Sequence, residues 1–116
     1  MSATRGHPKA ARIRRRREFL RLQREGRRRH TAHLVLIHEP NSGPTSRLGV
    51  TVSKRIGNAV VRNRVKRLLR EAFRHHRAKV QPTTDLVIIA KPGAETLTYA
   101  QVATEFARAL DLDIRR

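Results

Sequence analysis

Six apolar residues, Val61, Val65, Leu68, Leu69, Ala72 and Phe73, recur within a stretch otherwise dominated by arginine and lysine. Their spacing of i, i+4, i+7, i+8, i+11 and i+12 is that of one helical face and excludes a strand. Asn58 precedes the pattern as a good N-cap, so a helix is predicted from Ala59 to about Arg77. At about 100° per residue, Arg62, Asn63, Lys66, Arg67, Arg70, Arg74 and Arg77 share an arc of roughly 140° beside the apolar face. That arc holds cations and one amide and no acid, while Arg64 and Glu71 fall on the far side. A helix so crowded with like charge repels itself, which calls for a polyanion to compensate.

The rest of the chain supplies partners for the apolar face. Arg15 to Glu25 reads as a short helix with Phe19 and Leu22 on one face and Gly26 as its stop. Leu34 to His38 is a strand, Glu39 to Ser46 a loop, and Arg47 to Ser53 a half-buried strand in which Leu48, Val50 and Val52 alternate with Gly49 and Thr51. Asp85 to Lys91 is a nearly continuous apolar strand, buried on both faces. Thr98 to Leu110 closes the chain as a helix capped by Thr98. A further short strand before Leu34 fits the order. The fold class is α+β: a two-layer α/β sandwich, with a small mixed sheet and about three helices. Residues 1–12 lack periodicity and read as a basic disordered arm. Residues 13–116 form the domain.

Charge narrows the function. The net charge is +18, carried by two regions. Residues 1–29 hold 12 basic residues against Glu18 and Glu25, and residues 47–77 hold 10 against Glu71. From residue 78 onward, bases and acids balance. Nucleic acid is the partner such a surface attracts. A membrane is not: aromatic residues are 3% of the chain, and no apolar run approaches the roughly 20 residues that span a bilayer. Without cysteine there is neither a disulfide nor a thiolate metal site, in keeping with a cytoplasmic location. His30, His33 and His38 match no metal-ligand spacing. The basic region has no paired carboxylates for acid–base work. RNA is favoured over DNA because no recognition-helix pair, zipper or zinc spacing is present.

The run Arg47-x-Gly49-x-x-Val52-Ser53-Lys54-x-x-Gly57-x-Ala59-Val60-x-Arg62-Asn63-x-x-Lys66-Arg67-x-x-Arg70 closely resembles the signature of the protein subunit of bacterial ribonuclease P. The resemblance extends over roughly residues 13–112. It implies a left-handed βαβ crossover, against the usual right-handed rule. It also implies a subunit of the endoribonuclease that removes the 5′ leader of precursor tRNA, with catalysis by the RNA subunit and no catalytic or metal-binding residue in the protein. Mg2+ would be bound mainly by that RNA. The implied partners are the catalytic RNA and precursor tRNA, with the protein a monomer in a one-to-one complex. Lys54, Arg55, Arg62, Asn63, Arg64, Lys66, Arg67, Arg70 and Arg74 are the implied contacts to catalytic RNA. The leader would lie in a cleft between the first helix and the sheet, against Phe19, Gln23 and Ile37. The family commonly has aromatics at the last two positions, so leader stacking is weaker or differently made here, with Arg21, Arg24 or His38 as possible helpers. Two other readings compete: a structural ribosomal or general RNA-binding protein, and a protein nuclease acting alone.

Overall fold

The computed structural model describes residues 11–13 and 15–114, with the backbone alone for 111–114. Its elements run α1 (Arg16–Glu25), β1 (Arg27–His30), β2 (Leu34–Pro40), β3 (Arg47–Thr51), α2 (Ala59–His76), β4 (Thr84–Ala90) and α3 (Tyr99–Ile114). The four strands form one mixed sheet in the order β1-β2-β4-β3. β1 with β2 and β2 with β4 are antiparallel; β3 with β4 is parallel, and α2 makes the crossover between them.

Local chemistry sets the helix ends. The Val61 N–H donates to Asn58 Oδ1 at 3.0 Å, capping α2. Its last turn carries Arg74, His75 and His76, where positive charge favours the helix dipole. At α3, Thr98 and Gln101 form a reciprocal capping box: Gln101 N–H donates to Thr98 Oγ1, and Thr98 N–H to Gln101 Oε1. Gly26 does end α1, but its backbone is extended, with φ −74° and ψ 164°. A glycine is needed there because a Cβ would fall 2.8 Å from Ile37 Cγ2, Leu22 Cδ1 and the Leu22 carbonyl.

Strand alternation gives the sheet two buried faces. Leu34, Leu36, Leu48, Leu86 and Ile88 join the larger core with α2 and α3. There Phe73 and Phe106 meet edge to face, with ring centroids 6.4 Å apart. This sheet and helix pair form the sandwich. On the opposite face, α1 lays Leu22 and Phe19 over Val35, Ile37, Val87 and Ile89.

Two features add to the sequence reading. The short strand before Leu34 exists as β1, and its residues are three arginines and a histidine, a pattern with no apolar alternation. Of the arm expected over 1–12, only Ala11 and Arg12 are among the described residues, and both contact the domain. Ala11 is fully buried, Arg12 bridges to Leu48, and the Ile13 N–H donates to the Leu48 carbonyl. Residues 1–10 lie outside the described residues.

Candidate nucleic-acid interface

The segment after β3 builds the approach to α2. Ile56 is buried in the core and its N–H donates to the Ser53 carbonyl, closing a tight turn. The anchored turn leaves Lys54 and Arg55 exposed on its outside. On α2, Val65, Leu69, Ala72 and Phe73 face inward. Asn63, Arg67 and Arg70 are exposed; Arg62 and Lys66 are half-buried at the edge of the arc.

Among the described residues, Arg62, Lys66, Arg67 and Arg70 have no acidic partner. The Nε of Arg62 is buried without any acceptor. Such a donor costs free energy until something accepts from it. The Arg70 pKa is lowered, first by partial burial and then by the neighbouring positive charge of Arg12. Arg12 thus belongs to the same positive surface, a placement that no local pattern announces.

Two residues of the expected RNA-facing set are engaged within the protein. Arg64 donates through both terminal nitrogens to the carbonyls of Glu95 and Leu97, at 3.0 and 3.2 Å, and ties α2 to the segment before α3. Arg74 pairs with Glu71 at 2.6 Å, and that hydrogen bond holds the Glu71 carboxyl below its ordinary pKa. Arg47, which opens the signature run, is likewise a clamp. Its Nε and Nη2 grip both oxygens of buried Asp85 at 2.9 and 2.7 Å, and its Nη1 reaches Glu18 on α1.

The expected leader-binding residues separate. The Phe19 ring lies across Gly49, where a Cβ would come within 2.6 Å of Phe19 Cε2. Gln23, half-buried, accepts at its carbonyl from Arg28 Nη2 at 2.9 Å. Ile37 is corrected: it is fully buried beneath Leu22 and Gly26 and presents nothing to a ligand. His38, one residue on, points to the other face of the sheet and is also buried. Arg21 is paired with Glu25 and Glu39, and Arg24 with Glu25.

The three early histidines do not converge. His33 Nδ1 meets Glu105 Oε2 at 2.5 Å on α3, His38 is buried, and His30 is exposed at the sheet edge. No group of three or more His, Cys, Asp or Glu suited to a metal occurs among the described residues. No helix among them is long and apolar enough to cross a membrane.

Residues 7–112 match the family model described as Ribonuclease P. The "Ribonuclease P protein component" of Citrifermentans bemidjiense is 44% identical over 102 residues, covering 88% of this chain and 87% of the relative. The Staphylococcus aureus RNase P protein superposes with a TM-score of 0.82 at 31% identity, covering 93% of this chain and all of that one. A mutant of the Staphylococcus aureus protein, described as defective in mRNA degradation activity, gives a TM-score of 0.80 at 32% identity over 90% of this chain and 88% of that one.

Proposed function

The chain belongs to the ribonuclease P protein family, and from that premise we propose that the basic arc of α2 is its contact with the catalytic RNA. It is the protein component of the ribonucleoprotein that removes the 5′ leader from precursor tRNA. The observation that carries the site assignment is the unneutralised arc: Arg62, Lys66, Arg67 and Arg70 have no acidic partner among the described residues. Backbone phosphates accept from the accessible terminal groups of this arc. Lys54 and Arg55 extend this surface from the turn before α2, and Asn63 adds a neutral amide. Arg64 and Arg74 contribute positive potential while Arg64 ties α2 to the segment before α3 and Arg74 pairs with Glu71 within α2. Residues 13–116, together with Ala11 and Arg12, are the RNA-binding domain. Phe19 and Gln23 line the cleft for the leader.

The arc has no carboxylate, so its donor set does not fit a resident divalent cation. Mg2+ for the hydrolysis is held mainly by the RNA subunit. The protein lowers the repulsion between two polyanions, acts as a monomer in a one-to-one complex and works in the cytoplasm.

The test combines the full-length protein with a bacterial ribonuclease P RNA and precursor tRNA at low Mg2+. Stimulated cleavage at the mature 5′ end is expected. Arg62→Ala and Arg67→Ala should each weaken binding to the RNA subunit and reduce the salt slope by about one. An unchanged slope refutes direct phosphate contact. RNA cleavage by the protein alone would favour an independent nuclease, the reading raised by the mRNA degradation activity of the Staphylococcus aureus relative.

A further inference from the structure

The face of the sheet under α1 is organised in rows, because paired residues on neighbouring strands point the same way. One row is Arg47–Asp85–Glu39, the next Gly49–Val87–Ile37–Arg28, and the third Thr51–Ile89–Val35–His30. α1 lies over the middle row: Phe19 covers Gly49 on β3, Leu22 and Gly26 cover Ile37 on β2, and the Gln23 carbonyl reaches Arg28 on β1. Its two sides differ in charge. On the first-row side, Glu18 pairs with Arg47 and Arg21 with Glu39, so carboxylates gather there. The third row has none. It is a half-covered strip of Thr51 and Ile89 ending at an exposed imidazole.

We infer that the RNA track beside α1 continues across the sheet to its edge, where Arg28 and His30 on β1 hold a nucleotide of single-stranded RNA distal to the one at Phe19. This rests on the proposed reading that Phe19 and its cleft receive the leader. Continuity with the Phe19 cleft and the local charge identify the occupant. The strip runs beside the row that carries Phe19 at one end and Arg28 at the other, and it ends at His30, so the sheet edge offers an unstacked nucleotide a planar guanidinium for phosphate or base face and an imidazole for stacking. Among the described residues, the His30 ring makes no hydrogen bond and Arg28 makes one, to the Gln23 carbonyl, so both side chains have capacity to spare. A row of four strands places β1 about 14 Å from β3. The geometry therefore predicts an order: a leader entering from the β3 side, next to the α2 surface, reaches Phe19 first and His30 only when longer.

The experiment measures affinity of the protein–RNA-subunit complex for precursor tRNAs whose leaders grow one nucleotide at a time. Phe19→Ala, His30→Ala, His30→Phe, Arg28→Ala and Arg28→Lys are compared, with folding checked by thermal unfolding. Expected is a loss of about fivefold or more for His30→Ala that begins only at leader lengths beyond those already sensitive to Phe19→Ala. His30→Phe should retain the wild-type length profile. Arg28→Ala should lower the salt slope by about 0.7 for long leaders alone, and Arg28→Lys should restore it. If His30→Ala matches wild type at every length, or loses affinity equally for leaderless tRNA, the extension is wrong even though Phe19→Ala keeps its leader dependence. His30→Phe as weak as His30→Ala overturns the stacking role. If wild type itself shows no dependence on leader length, the cleft reading fails and this inference with it.

Discussion

Replacing Arg47 with alanine should unfold the protein more readily while leaving its RNA chemistry largely intact. Arg47 grips buried Asp85 with two hydrogen bonds, at 2.9 and 2.7 Å, and Asn41 supplies one more to Asp85 Oδ1 at 2.8 Å. The hydrogen bond to Asp85 raises the Arg47 pKa, an effect burial opposes, so Arg47 stays charged across the ordinary pH range. Truncation strands a carboxylate with 9% of its side chain exposed. Breaking a buried pair costs about 3–5 kcal/mol. The Arg47 side chain is 29% exposed, so water can partly re-solvate the vacated site. About 2–4 kcal/mol is the appropriate range after that discount. For a chain of this length the melting temperature should drop by roughly 10 °C. Thermal and urea unfolding of Arg47→Ala and of the double variant Arg47→Met with Asp85→Asn measure the loss, the double variant recovering stability because no buried charge is left unpaired and Glu18 is exposed enough to be solvated. A midpoint unchanged in Arg47→Ala, accompanied by a weaker salt dependence of RNA binding, would show that Arg47 is a phosphate contact and refute the clamp.

Two further perturbations follow from close contacts. Gly49→Ala places a methyl group within 2.6 Å of Phe19 Cε2, so the ring must leave its seat; a stability loss of about 1–3 kcal/mol is expected, with leader-dependent affinity falling as in Phe19→Ala, both read by unfolding and by binding to long-leader precursor. At Glu105, burial opposes ionisation, but hydrogen bonds from the Thr31 hydroxyl, the His33 ring and the His33 N–H outweigh it and hold the pKa low. A depressed carboxylate pKa stabilises above its unfolded value, near 4.3, and that stability is lost as pH falls through the native value. Glu105→Gln should therefore be less stable than wild type at pH 7, with the gap closing below about pH 4 in paired unfolding curves; a gap independent of pH would refute the ionic contribution.

Much of the scaffold is readable from local pattern. The α2 face, its Asn58 cap and the Thr98 cap each follow from a few adjacent residues, and the structure holds them. β1 is harder to read, because Arg27–His30 is stabilised by pairing with β2 and not by burying alternate apolar side chains. Ile37 illustrates the reverse failure. Its strand was legible, but its accessibility depends on α1 resting above it, which only the chain's path from Gly26 into β1 determines. The reason for Gly26 is equally tertiary: space, with a backbone conformation that any residue could adopt.

Arginine itself is the least legible element, since a single residue type does opposite work in neighbouring positions. Arg47, Arg64 and Arg74 are held by carboxylates or carbonyls of the fold. Arg62, Arg67 and Arg70 share a helix with two of them and have no such partner among the described residues. Sequence spacing alone puts Arg74 on the outward arc with Arg67 and Arg70, because it ignores Glu71 three residues away. The fold consumes its scarce acids pairwise, Glu18 and Asp85 on Arg47, Glu39 on Arg21, Glu71 on Arg74. That spending concentrates uncompensated charge on one arc of α2 instead of diluting it over the surface. Neutralising Glu71 would free Arg74 to join that arc, so Glu71→Gln is expected to tighten RNA binding and steepen its salt dependence by up to one unit; no change in slope would mean that Arg74 lies outside the interface even when released.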